Sequence, residues 1–255
     1  MDSHGVESNE APAHSGRLCG ELMQEQRFDS TFEAAQALTQ AVTEVLRQGI
    51  ARRDRATLVV PGGRTPVPLF RLLSAQRLEW SRVTIALTDE RWVPSSEPTS
   101  NAGLIGAELL QSEAAAAVFM PFDVSAETPA SGAEHATARL QRLPLPFDAV
   151  ILGVGDDGHF ASIFPGSPGY QEALDLASPP GGVAMQAPVG SRQRLSWNLS
   201  ALVHTRNLYL YISGNSKRQV IEQALRAADV GDTTHWPVAA VLAQQQVMPQ
   251  LYWSP

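Results

Sequence analysis

The residues best suited to chemistry lie at 153–159, Gly-Val-Gly-Asp-Asp-Gly-His, directly after the apolar run 148–152. An imidazole with an ordinary pKa of about 6.5 accepts a proton at neutral pH, so His159 is the candidate acid/base. The plainer alternative is a histidine that only caps or hydrogen-bonds its loop. No second His or Cys stands at ligand spacing and Cys19 is remote, so no metal is expected. Ser162 near His159 and Asp157 suggests a hydrolase triad, but the G-x-S-x-G elbow of such enzymes does not occur.

The same loop formally matches a dinucleotide fingerprint through Gly153-x-Gly155-x-x-Gly158, with Asp175 placed to hold a ribose. Two features oppose that match. Asp156 and Asp157 put carboxylates where a pyrophosphate would sit, and Pro165-Gly166 arrives too soon for the long helix that follows such loops. No cofactor is expected.

Further polar loops follow other apolar runs. Pro61-Gly62-Gly63-Arg64-Thr65-Pro66 has the composition of an anion cradle. Its glycines admit close backbone approach, a helix N-terminus follows, Thr65 carries a hydroxyl, and the Arg64 guanidinium can fork onto two phosphate oxygens. A plain strand-to-helix turn is the competing account. Asp89-Glu90-Arg91 crowds charges behind the run 83–87, and Ser100-Asn101 offers a helix cap. Lys217, the only lysine of the chain, stands at a predicted helix start, where its charge opposes the helix dipole unless an anion binds.

The elements that must position these groups alternate. Short apolar or β-branched runs predict strands at 56–60, 83–87, 118–122, 148–152, 183–187, 194–198, 208–212 and 250–253. Helical spacing predicts helices over 30–49, 66–73, 102–110, 133–143, 170–176, 217–228 and 238–242, with Gly49 closing the first. Strands alternating with helices imply an α/β fold, one domain whose mainly parallel sheet is covered on both faces. In such a sheet the strand ends at 61–66, 88–94, 153–159 and 213–217 lie along one edge, so their loops converge on one crevice.

Composition bounds the partners. At 255 residues the chain holds one large domain or two small ones, and no apolar run approaches the roughly 20 residues that span a bilayer. Residues 1–25 read as a disordered polar tail without a signal peptide, leaving 26–255 as the domain. A single cysteine excludes an internal disulfide and suits the cytoplasm. The formal net charge of −7 argues against nucleic acid and anionic membranes, so an anionic ligand needs a local cationic cluster. Oligomeric state is open, a monomer included.

The segments PGGRTP (61–66), TDERWVP (88–94), SNAGLI (100–105), LGVGDDGHFASIFPG (152–166) and ISGNSKR (212–218) together resemble the 6-phosphogluconolactonases. The resemblance implies the three-layer fold shared with glucosamine-6-phosphate deaminases and ribose-5-phosphate isomerases. It also implies hydrolysis of 6-phosphoglucono-1,5-lactone to 6-phosphogluconate in the oxidative pentose phosphate pathway. By position, His159 becomes the general base and Asp157 its orienting partner. Gly62, Gly63, Arg64, Thr65, Asp89, Arg91, Asn101, Gly155, Arg194 and Lys217 become the phosphate- and sugar-binding set. Arg194 is preferred to Arg192 because it stands just before the strand at 195–197. Pro61 and Arg64 depart from the small residues common in the family's glycine loop. The related deaminases carry Phe-Asn-Glu-Pro and Asp-Glu-Tyr where this chain has residues 161–165 and Asp89-Glu90-Arg91, which favours the lactonase. A sugar-phosphate-binding regulator without catalysis is the non-enzyme alternative.

Overall fold

A computed structural model of the protein describes residues 22–190 and 192–255. In chain order the elements are β1 (Gln24–Arg27), α1 (Thr31–Arg53), β2 (Ala56–Val60), α2 (Val67–Ser74), β3 (Val83–Leu87), β4 (Asp89–Arg91), α3 (Asn101–Glu108), β5 (Val118–Met120), α4 (Pro129–Leu140), β6 (Ala149–Leu152), α5 (Tyr170–Leu174), β7 (Gly182–Gln186), β8 (Gln193–Trp197), α6 (Leu199–Val203), β9 (Leu208–Ser213), α7 (Asn215–Asp229), α8 (Val238–Ala243) and β10 (Pro249–Ser254). No helix among the described residues is long and apolar enough to cross a membrane.

Seven strands form one sheet in the order β1-β10-β9-β6-β2-β3-β5, and every neighbouring pair is parallel. Helices flank this sheet in a single three-layer domain. A parallel strand covered on both faces needs continuous apolar residues, and every residue of β2 and β6 is buried. Between β2 and β6 the order reverses: β3 and β5 extend one way, β9 and β10 the other. A second sheet, β4-β8-β7, is antiparallel and packs α4 against β7 and β8.

Several boundaries differ from the sequence reading, each for a local reason. Most of the expected 1–25 tail, with Cys19, lies outside the described residues. Leu22 and Met23, however, are buried in the core, and Gln24 and Glu25 begin β1, which pairs with β10. The polar sequence of β1 hid it, because an edge strand needs little apolar surface. Gly49 does not end α1, which runs on to a left-handed cap at Asp54 (φ 63°). A Cβ on Gly49 would lie 2.9 Å from the Ala56 Cβ, so this glycine serves close packing of helix on strand. Strands β7 and β8 form where expected but join β4, whose Asp-Glu-Arg sequence carries no apolar signal.

At the edge away from the chemistry, Asp148 ties three elements together while almost wholly buried. Its Oδ2 accepts from the Thr57 N–H at 2.8 Å and the Thr57 hydroxyl at 3.3 Å, while Oδ1 receives the Arg53 guanidinium. Arg206 Nε lies 3.8 Å away. Asp148→Ala strands these donors. Breaking a buried pair costs about 3–5 kcal/mol, and the partial exposure of both arginines brings the expected loss to about 2–3 kcal/mol. Urea unfolding should show it as a lowered midpoint at unchanged slope.

Candidate functional site

The strands β9, β6, β2 and β3 are neighbours in that order, and they deliver the loops carrying Lys217, His159, Gly62 and Arg91 to one edge. A cleft of about 540 Å³ opens there. Gly62, Gly63, Arg64, Thr65, Asp89, Arg91, Asn101, Gly155, His159 and Lys217 all line it. Of the residues expected at the site, Asp157 and Arg194 are not part of this lining; Asp157 contacts His159, and Arg194 lies opposite Arg91.

The loop after β6 holds His159 from several sides. His159 Nδ1 lies 2.5 Å from Asp157 Oδ1, the same oxygen that accepts the His159 backbone N–H at 3.1 Å. Against an ionised carboxylate Nδ1 carries the ring proton, so Nε2 is the acceptor nitrogen of the neutral imidazole. The Phe164 ring rests 4.4 Å from the imidazole, centroid to centroid. Gly158 N–H donates to Gly155 C=O at 3.1 Å, closing a turn with Asp156 and Asp157 at its corners. Gly158 itself has φ 75°, and Trp236 packs where its Cβ would be, at 2.8 Å. Trp236 therefore braces the loop from behind, while Trp92 packs on Gly132 of α4.

Gly155 is the tightest point. A Cβ there would lie 2.0 Å from His159 Nδ1 and 2.7 Å from Asp157 Oδ1, closer than any side chain tolerates. Only hydrogen fits between this backbone and the His–Asp pair.

The opposite wall is built around Asn101. Its amide donates to Asp89 C=O at 2.8 Å and its oxygen accepts the Arg91 guanidinium. A Cβ on Gly62 would fall 1.8 Å from that oxygen, so the glycine loop and Asn101 interlock. Beneath them Glu90 is buried and accepts from the backbone N–H of Arg91 (2.7 Å), Asn101 (2.8 Å) and Ala102 (2.7 Å) and from the Ser100 hydroxyl (3.0 Å). Burial pushes its carboxyl above the ordinary range, although those hydrogen bonds pull it the other way. Sequence reasoning left Glu90 unassigned. The available signal was an acidic residue preceding the Ser-Asn helix start, which it caps from across a loop.

Arg91 faces Arg194 directly across the β4–β8 pair. Burial lowers the Arg194 pKa, and the Arg91 charge lowers it further, against a smaller upward pull from Asp89 and Glu90. The Arg194 guanidinium lies 6.0 Å from the centroid of the Phe164 ring, so one aromatic side chain separates the arginine pair from His159. Ser162 is fully buried and donates to Asp89 at 2.6 Å rather than engaging His159, and Thr88 donates to the other Asp89 oxygen at 2.8 Å. On the remaining side Lys217 Nζ meets Asp156 Oδ1 at 2.9 Å.

Two tests follow from the His159 loop. A short Nδ1–H···O bond gives a far-downfield proton resonance. That resonance should move or vanish in Gly155→Ala and persist in Gly153→Ala, where a Cβ meets nothing within 4 Å. The second test concerns acid. Burial raises the Asp157 carboxyl, but the hydrogen bond and charge of His159 outweigh it, and the net value lies below the ordinary 3.8. The native state therefore binds this proton more weakly than the unfolded chain. The stabilising share is complete above the ordinary value and is lost as pH falls through the lower folded one. The stability difference between wild type and Asp157→Asn should accordingly shrink as unfolding is measured from about pH 6 down to about pH 3.

Residues 29–253 match the family described as glucosamine-6-phosphate isomerases/6-phosphogluconolactonase. A 6-phosphogluconolactonase of Rhizobium meliloti (strain 1021) is 40% identical over 228 residues, which cover 89% of this chain and 97% of the relative. Another, from Pseudomonas aeruginosa, is 43% identical over 221 residues, covering 85% and 90%. The crystal structure of a 6-phosphogluconolactonase from Shewanella baltica OS155 superposes with a TM-score of 0.86 at 36% identity, covering 91% of this chain and 98% of that one. A monomeric glucosamine-6-phosphate deaminase, 16% identical with a TM-score of 0.73 over 90% of this chain and 97% of its own, shares the fold. The chain belongs to the glucosamine-6-phosphate isomerase/6-phosphogluconolactonase family, among its 6-phosphogluconolactonases.

Proposed function

We propose that the chain hydrolyses 6-phosphoglucono-1,5-lactone to 6-phosphogluconate, with His159 taking a proton from the attacking water. The observation that carries this reading is the occupied Nδ1 of His159, which leaves Nε2 as the basic nitrogen of a residue lining the cleft. The lactonase relatives supply the reaction class.

A δ-lactone is an activated ester, so water can attack C1 without a covalent enzyme intermediate. As the water oxygen bonds to C1, its proton passes to Nε2 and negative charge builds on the carbonyl oxygen. Collapse breaks the bond from C1 to the ring oxygen, and the imidazolium returns the proton to that oxygen, freeing a hydroxyl. Asp157 keeps Nδ1 protonated and stabilises the imidazolium while it exists. In this reading, donors of the loops around the cleft stabilise the developing oxyanion.

Arg91, Arg64 and Lys217 form the cationic wall that the phosphate of such a substrate needs in a protein of net charge −7. Arg194 stands beside Arg91, directly opposite it in the β4–β8 pair, and adds its charge to that wall. Anchoring the distant phosphate fixes C1 beside the base, so remote binding energy serves the reacting bond.

The roles separate in kinetics. His159→Ala should lower kcat by about 10²–10⁴-fold with a modest change in KM, whereas Arg91→Ala should mainly raise KM. An assay coupling glucose-6-phosphate oxidation to lactone disappearance, corrected for spontaneous opening, reads both. Full activity in His159→Ala would refute the base assignment, and equal efficiency on unphosphorylated gluconolactone would refute the anchor.

A further inference from the structure

We infer that Asp156 is a displaceable counter-ion for Lys217, which the anionic group of the ligand must evict in order to bind. The inference rests on the anionic-ligand reading above and adds a residue that sets affinity by competing with the ligand.

Asp156 and Asp157 occupy the corners of one turn, yet their side chains diverge in use. Asp157 takes His159, and Asp156 takes Lys217 at 2.9 Å. The turn closes through its own backbone bond from Gly158 N–H to Gly155 C=O, so the Asp156 side chain is not needed to form it. That side chain is 80% exposed, and among the described residues Lys217 is its one recorded partner. Lys217 is only 24% exposed and lines the cleft. It sits in the first turn of α7, which has no acidic residue there and no side-chain cap at Gly214. The ammonium and the helix end therefore attract a negative group, and in the ligand-free protein that group is a carboxylate borne on the catalytic loop.

An exposed carboxylate is a replaceable partner. Exposed ion pairs contribute between nothing and about a fivefold factor in an equilibrium, because both side chains lose freedom and water screens them. A dianionic phosphate that also reaches Arg91 and Arg64 outcompetes one such contact. The pair keeps the lysine extended over the cleft and taxes affinity slightly, which favours release of an anionic product. The evicting group is either a phosphate or the carboxylate formed at C1; both are anions with oxygens that an ammonium binds.

Calorimetric titration of inorganic phosphate, 6-phosphogluconate and gluconate tests the exchange on wild type, Asp156→Asn, Lys217→Met and the double variant. Asp156→Asn is expected to tighten 6-phosphogluconate about two- to fivefold, and the gain should vanish in the Lys217→Met background. A gain for inorganic phosphate assigns the evicting group as phosphate, and a gain for gluconate alone assigns it as carboxylate. Unchanged or weakened binding of every anion in Asp156→Asn overturns the inference, as does a gain that survives without Lys217. Turnover is not part of this readout. Wild type lacking lactonase activity would remove the functional proposal, while the phosphate arm would still decide the counter-ion question.

Discussion

The pairing of β2 with β6 governs the rest of the molecule, because strand order reverses there and the chains leaving the two strands must turn to opposite sides. The crevice between them cannot be filled by a crossover helix. The glycine loop 61–66 and the His159 loop border it as direct sequels of the two central strands, and β3 and β9 add Arg91 and Lys217 from either flank. Rigid parallel strands, buried on both faces, hold the starting point of each loop. The loops then need only short reach to meet.

Close backbone approach is the second organising feature. Gly155 admits the His159–Asp157 pair and Gly62 admits Asn101, so on each side of the cleft an absent side chain makes room for a polar one. The two walls differ in electrostatics. On the Asn101 side, like-charged Arg91 and Arg194 are forced together by the β4–β8 register, with Asp89 and Glu90 buried beneath. Those carboxylates accept from hydroxyl and backbone donors, and their charge offsets part of the burial and repulsion that bear on Arg194. On the histidine side a single carboxylate is devoted to fixing a ring nitrogen.

Much of this was legible from residue types. The apolar runs at β2, β3, β6 and β9 are continuous because both faces are buried, and each ends in a polar loop that breaks the pattern sharply. What stayed hidden had no apolar signature. β4 is three charged residues whose pairing is decided by β8, more than a hundred positions away. Glu90 stayed unassigned because its partners are backbone N–H groups of a later helix. Phe164 had no role assigned from sequence, and only the fold sets its ring between His159 and Arg194. Gly49 carried the right residue type for a helix stop, but packing against Ala56 is what requires it.

The place of β10 between β1 and β9 has a consequence during synthesis. Among the described residues β1 pairs only with β10, so a growing chain holds residues 24–27 undocked, and the β9 edge open, until residues 249–254 have left the ribosome. Such a late, long-range closure is slow and leaves an unpaired edge exposed meanwhile. The sequence Gln-Glu-Gln-Arg of β1 fits that wait. A strand of polar and charged residues can stand in water without recruiting a neighbouring chain, and it joins the sheet last.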